Sequence, residues 1–132
     1  MMLRVVPLYA AALAPLFVLL SFRVIRLRRG AGKALGTDGL PDLERHARVQ
    51  ANFAEYVPFA LLLLAMAELR GVWAPLLHAL GLLLVGGRCS HAWGVSRTPE
   101  VFRFRVAGMV STFTVLLCAA LAILVSYVWG ST

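Results

Sequence analysis

Residues 106–129 read VAGMVSTFTVLLCAALAILVSYVW, a stretch without a single charged side chain. At 1.5 Å per residue it makes a helix about 36 Å long, enough to cross the roughly 30 Å hydrocarbon layer of a bilayer. Arg103 and Arg105 stand just before it, and Tyr127 and Trp129 close it. A basic cytoplasmic end and aromatic residues at the far surface are the marks of a membrane span.

The rest of the chain shares that solvent. Of its 132 residues, 61% are hydrophobic and only 14% are charged, and the mean hydropathy is +0.83. Soluble domains sit near 45–50% apolar and about 25% charged. A chain this short leaves much of its surface exposed and cannot hide that excess from water. One domain, residues 1–132, is expected. A first apolar run, Val5 to Phe22, is followed by Arg23, Arg26, Arg28 and Arg29. A cleaved signal peptide would carry its charge before the apolar core, so this run reads as a helix whose C-terminal end is cytoplasmic. Gly30, Gly32, Gly36, Gly39 and Pro41 form a loop, and Asp42 is a candidate N-cap. The next helix has a polar first half and an apolar second half from Tyr56 to Ala67. Gly71 ends it, and Pro75 opens a third helix that is apolar except for His78, until Arg88 and His91. The expected architecture is an all-α membrane protein, a four-transmembrane-helix bundle with helices at about 4–28, 43–69, 75–95 and 101–129.

Net charge is +7. The basic residues border apolar runs rather than covering a soluble face, so nucleic acid is not the expected partner. If the loops after the first and third helices are cytoplasmic, Arg23, Arg26, Arg28, Arg29, Lys33, Arg45, Arg48, Arg88, Arg97, Arg103 and Arg105 lie on that side. Only Arg4 and Arg70 remain outside. The positive-inside rule then puts both termini on the non-cytoplasmic side. Cys89 and Cys118 match neither a disulfide framework nor metal spacing and read as small buried apolar residues. No Cys/His cluster has ligand spacing and no glycine-rich phosphate loop follows a strand, so metal, heme and flavin sites have no support.

The chemistry lies in Glu44-Arg45-His46-Ala47-Arg48-Val49-Gln50-Ala51-Asn52-Phe53-Ala54-Glu55-Tyr56-Val57-Pro58. On a helix, Arg45, Arg48, Asn52, Glu55 and Tyr56 fall within an arc of about 100°. A purely structural alternative is an ion-paired face that only fixes packing, with Glu44 and Arg48 four residues apart. The functional reading starts from cost: an ionisable residue at membrane depth is unfavourable by about 2.5–3.5 kcal/mol on insertion scales and usually marks a site. Arg88 and His91, then Arg103 and Arg105, repeat the pattern on later helices, and Arg26, Arg28 and Arg29 add to it from the first. A cationic pocket with one conspicuous acid, Glu55, suits a ligand with several carboxylates and an amine, such as a small anionic peptide.

The pattern Glu-Arg-x-x-Arg-x-Gln-x-Asn-x-x-Glu-Tyr-x-Pro from Glu44 to Pro58 resembles the MAPEG family, the membrane-associated proteins of eicosanoid and glutathione metabolism. It is most similar to the bacterial members, the microsomal glutathione transferases and the glutathione-conjugating leukotriene synthase. The resemblance covers nearly the whole chain, including the Arg-rich end of the first helix and the arginines opening the fourth. It implies a homotrimer with glutathione, an anionic tripeptide, held between subunits at the cytoplasmic side. It assigns glutathione contacts to Arg48, Asn52, Glu55 and Tyr56, and to a first-helix arginine among Arg26, Arg28 and Arg29. It assigns Arg105 to the catalytic arginine facing the glutathione sulfur, with Arg103 in reserve. A fixed guanidinium favours the nucleophilic thiolate over the thiol, whose ordinary pKa is about 8.5. The chain departs from the family where eukaryotic members carry third-helix tyrosines; it has His91, Trp93 and Val95 there, and His91 is the candidate substitute. His78 reads as a packed polar residue and His46 as solvent-facing.

The expected function is a membrane-bound glutathione-dependent transferase or peroxidase, with glutathione as co-substrate. It would act on hydrophobic electrophiles or lipid hydroperoxides arriving through the bilayer. The alternatives are a non-catalytic lipid- or glutathione-binding protein and a transporter or scaffold without chemistry. A bacterial inner membrane is the expected location.

Overall fold

Proline sets the start of three helices, because its missing N–H would be unpaired in a first turn anyway and its φ is already helical. Pro7 lies in the first turn of α1 (Val6–Gly30), Pro41 opens α2 (Pro41–Leu69), and Pro75 lies in the first turn of α3 (Ala74–Val95). The fourth helix is α4 (Phe102–Trp129). The computed structural model describes residues 2–129; of the expected domain 1–132, Met1 and residues 130–132 lie outside the described residues. Over those residues the chain is all-α, a bundle of four helices joined by short connections. Asp42 is not an N-cap: Leu40 holds that position and Asp42 sits inside the first turn. The start moves because Pro41 takes the first helical position, where its side chain costs nothing.

The α2–α3 turn shows how one residue serves two helices. Gly71 adopts φ +78°, which glycine reaches without strain. Its N–H donates to the Glu68 carbonyl at 2.9 Å and the Val72 N–H to the Ala67 carbonyl at 3.1 Å, closing a Schellman motif. The Glu68 carboxylate meanwhile accepts from the N–H groups of Arg4, Val5 and Val6 at 2.5, 2.7 and 2.9 Å. It caps the start of α1, which has no cap of its own. Arg70 reaches the end of α4, donating to the Ser126 carbonyl at 3.0 Å and lying 5.5 Å from the Tyr127 ring centre. Exposed Trp73 and Trp129 complete an aromatic rim at this end of the bundle.

Three helices, α1, α2 and α4, are long and apolar enough to cross a membrane, and in each fewer than a third of the residues in the most apolar stretch are buried. Outward leucines such as Leu117, Leu121 and Leu124 would be an aggregation hazard in water and are ordinary in lipid. By composition α3 falls short, since His78, Arg88 and His91 dilute it. It packs most extensively on α4 and also touches α1 and α2, whereas α1 and α4 do not touch. The core runs between the helices through Leu13, Val49, Ala60, Leu64, Leu77, Leu84, Val115 and Ala119.

Glycines bring α3 and α4 into backbone contact. A Cβ on Gly108 would lie 2.5 Å from the Gly87 carbonyl oxygen and 2.5 Å from His91 Cβ. A Cβ on Gly94 would lie 2.8 Å from the Arg105 nitrogen. Small residues of this kind let helices approach closely within membranes. Here the approach fixes how far His91 on α3 stands from Arg105 on α4.

Cys89 and Cys118 are both free and exposed on the outside of the bundle, not buried as expected. A thiol is apolar enough to face lipid as readily as a core.

Candidate functional site

The polar half of α2 does not face one way. Within its 100° arc, Arg45, Asn52 and Tyr56 occupy one edge and are half-buried, turned toward α3 and α4. Arg48 and Glu55 occupy the other edge and are exposed. A cleft of about 360 Å³ opens beside this face, with Arg45, Arg48 and Asn52 from α2, His91 and Val95 from α3, Glu100 from the connection and Arg105 from α4. Four of the expected site residues, Arg48, Asn52, His91 and Arg105, therefore meet at one place. The reserve arginine, Arg103, is exposed and does not line it.

Behind the cleft wall lies a residue whose role the sequence did not reveal. Arg88 is 1% exposed and donates to Asn52 Oδ1 at 2.6 Å and Thr112 Oγ1 at 3.3 Å. Its guanidinium carbon also lies 6.0 Å from the Phe53 ring centre. The short bond orients Asn52, because exchanging its amide nitrogen and oxygen would set two donors against each other at 2.6 Å. His91 is buried at the same level, and its Nδ1 has no partner among the described residues.

At the mouth, Arg105 pairs with Glu100 at 3.0 Å, and both side chains are partly exposed. Nothing local distinguishes Glu100 in the sequence; only the fold of the connection carries it to Arg105. Arg45 donates to the Arg97 carbonyl and to Thr98 Oγ1 at 2.5 and 2.8 Å, tying α2 to the α3–α4 connection. Arg97 stacks on Trp93 at 4.5 Å, and Trp93 packs edge-on against Phe104, so this tryptophan faces away from the cleft.

Other expected residues lie elsewhere in the structure. Arg26 borders a separate cavity between the end of α1 and the start of α2. Arg29 lines a shallow cavity with Arg28 and Lys33, and Arg28 is tied to the loop through the Gly36 carbonyl at 2.9 Å. Tyr56 packs edge-on against Phe113, and exposed Glu55 has no ion-pair partner among the described residues. His78 is exposed on α3 rather than packed inside, with its Nδ1 bonded to the Tyr9 hydroxyl at 2.8 Å. His46 is half-buried rather than fully solvent-facing, held through Nδ1 on the Asp42 carbonyl at 2.8 Å.

In electrostatic terms the cleft is a cationic basin with two carboxylates, Glu44 and Glu100, at its edge. Its guanidinium and amide donors suit carboxylates and peptide carbonyls, and one guanidinium stands where it could favour an anion formed in the cleft.

The family described as "MAPEG family" matches residues 6–125. "Inner membrane protein YecN" of Escherichia coli strain K12 is 36% identical over 115 residues, which is 87% of this chain and 86% of that protein. The protein of the same name from Escherichia coli O6:H1 matches to the same extent.

Proposed function

The chain belongs to the MAPEG family, and on that premise we propose that it binds glutathione in the cleft and activates its thiol as a transferase or peroxidase. The observation that carries the reading is the convergence of Arg48, Asn52, His91 and Arg105 from three helices on one cleft. Arg48 and Asn52 bind the peptide and His91 takes the place of a family tyrosine. Arg105 holds the sulfur as thiolate. In conjugation the thiolate forms an S–C bond to a lipid-borne electrophile as the bond to its leaving group breaks. In the peroxidase mode, two glutathiones are oxidised to the disulfide as a hydroperoxide is reduced to alcohol and water.

The remaining residues enter through assembly. Glu55 and Arg48 lie on the outward edge of α2, and a carboxylate there gains a partner if a neighbouring copy covers it. In a homotrimer, Arg26 or Arg29 of one subunit reaches the ligand on the next, and Tyr56 completes the wall. All four helices cross the inner membrane, α3 shielded by its packing on α4, with the arginine-rich end cytoplasmic and both termini opposite.

The test is glutathione titration of the detergent-purified protein, following thiolate absorbance in the ultraviolet, for the wild type and Arg105→Ala. Saturable thiolate formation lost in the variant is the expected result. Binding without thiolate in either protein would leave a non-catalytic binder, a second reading favoured by the Arg105–Glu100 pair, which occupies the guanidinium. No binding would remove the glutathione reading.

A further inference from the structure

The largest fully buried side chain among the described residues is a cation, Arg88. Among the described residues no carboxylate lies within ion-pair distance of it, and the one ion pair joins Arg105 to Glu100. Its guanidinium donates only to two neutral oxygens, of Asn52 and Thr112, and its Nε has no partner. The Thr112 hydroxyl donates its own proton to the Gly108 carbonyl at 2.8 Å, so toward Arg88 it can only accept. A full charge buried against neutral dipoles is an unfavourable arrangement, and proteins normally supply a counter-ion. Beside this one is a cleft, and Asn52 stands in the wall between them.

We infer that Arg88 is a positioning residue of the cleft: it grips Asn52 by the carbonyl oxygen, turning the amide NH₂ toward the ligand, and leaves its own charge to be balanced by the ligand's anion. The inference rests on the reading of the cleft as a glutathione site. Arg88 itself never touches the ligand. Asn52 is the relay: its oxygen is polarised by a guanidinium 2.6 Å away, which makes its N–H groups stronger donors to a carboxylate or peptide carbonyl. The missing counter-ion then has a functional reason. An acid in place of Asn52 would neutralise Arg88 within the protein, and the cleft would lose both a donor and part of its attraction for anions.

Stability and affinity therefore move in opposite directions in Asn52→Asp. The carboxylate pairs with a cation that is already buried, so the thermal midpoint in detergent rises. Glutathione affinity falls by tenfold or more. Because Asn52 is itself a proposed glutathione contact, this fall is read together with the Arg88 variants, in which a purely structural role for Arg88 predicts wild-type affinity. In Arg88→Met, affinity falls by a similar factor, and Arg88→Lys recovers part of it, because it restores the charge but not the fork. The double variant Arg88→Met/Asn52→Leu binds within about threefold of the weaker single variant, since both act through the same amide.

Wild-type affinity in a folded Arg88→Met protein, losses that multiply in the double variant, or an Asn52→Asp protein that binds like the wild type would each overturn the inference. If Arg88→Met does not fold, Arg88→Lys decides: it keeps the charge and Asn52 but not the fork, so its affinity should still fall below wild type, and wild-type affinity would overturn the inference. If the wild type does not bind glutathione, the site reading fails. The midpoint of Asn52→Asp then still judges the charge argument: a lowered or unchanged midpoint would refute it.

Discussion

Glu100→Gln removes the carboxylate that occupies Arg105. The pair is 3.0 Å long, with side-chain exposures of 49% for Arg105 and 33% for Glu100. Exposed pairs of this kind are worth about 0.2–1 kcal/mol once solvent screening is included. Glutamine keeps the size and loses the charge. Arg105 is then free to face a thiolate in the cleft, and a negative group that would repel that thiolate is gone; both effects favour the anion. At about 1.4 kcal/mol per pH unit, the thiol of bound glutathione should ionise ~0.15–0.7 unit lower than in the wild type. The assay is a pH titration of thiolate absorbance at saturating glutathione and low salt. Raising the salt toward 1 M should shrink the difference, because the Debye length falls to about 3 Å. In an Arg105→Ala background the same substitution should leave only the smaller shift that comes from removing the negative group. An unchanged or raised ionisation pH in Glu100→Gln would refute Arg105 as the group that faces the sulfur.

Three other perturbations test the frame around the site. Gly108→Ala places a methyl 2.5 Å from the Gly87 carbonyl oxygen and must push α3 and α4 apart by about 1 Å; it should lower stability by about 1–3 kcal/mol by thermal melting, and Ser in place of Gly108 should do no better. Glu68→Ala strips three N–H groups at the start of α1 of their acceptor and should cost about 1–2 kcal/mol in the same assay, without changing the glutathione affinity of the folded protein. In a Cys89→Ala/Cys118→Ala background, Thr37→Cys should react with an impermeant thiol reagent only from the cytoplasmic side and Trp73→Cys only from the other; the reverse pattern would invert the proposed orientation.

Much of the fold was legible because its signals are local. The uncharged stretch 106–129 and the arginines before it declare a span without reference to any other helix. Pro41, Gly71 and Pro75 mark helix ends through their own backbone preferences. The spacing of Arg45, Arg48, Asn52, Glu55 and Tyr56 follows from helical period alone. The relation between elements was less legible. Arg88 read as one more cation of the pocket, and only the packing of α2, α3 and α4 around it shows that it is buried on Asn52 and Thr112. Glu100 carried no pattern at all. The cysteines were placed inside because thiols usually are, yet the helix rotation that packs Gly87 and Gly108 together turns both outward.

By itself, then, the sequence determined the solvent, the helices, the basic end and the residue types gathered there, since hydropathy, charge and helical period are properties of consecutive residues. Only the tertiary structure decided which edge of the polar arc on α2 turns inward, and that Arg26 and Arg29 stand apart from the cleft within a single chain. The rotation of each helix about its axis settles such questions. That rotation is set by contacts between distant segments, above all the backbone approach at Gly87, Gly94 and Gly108, which no single stretch of sequence encodes.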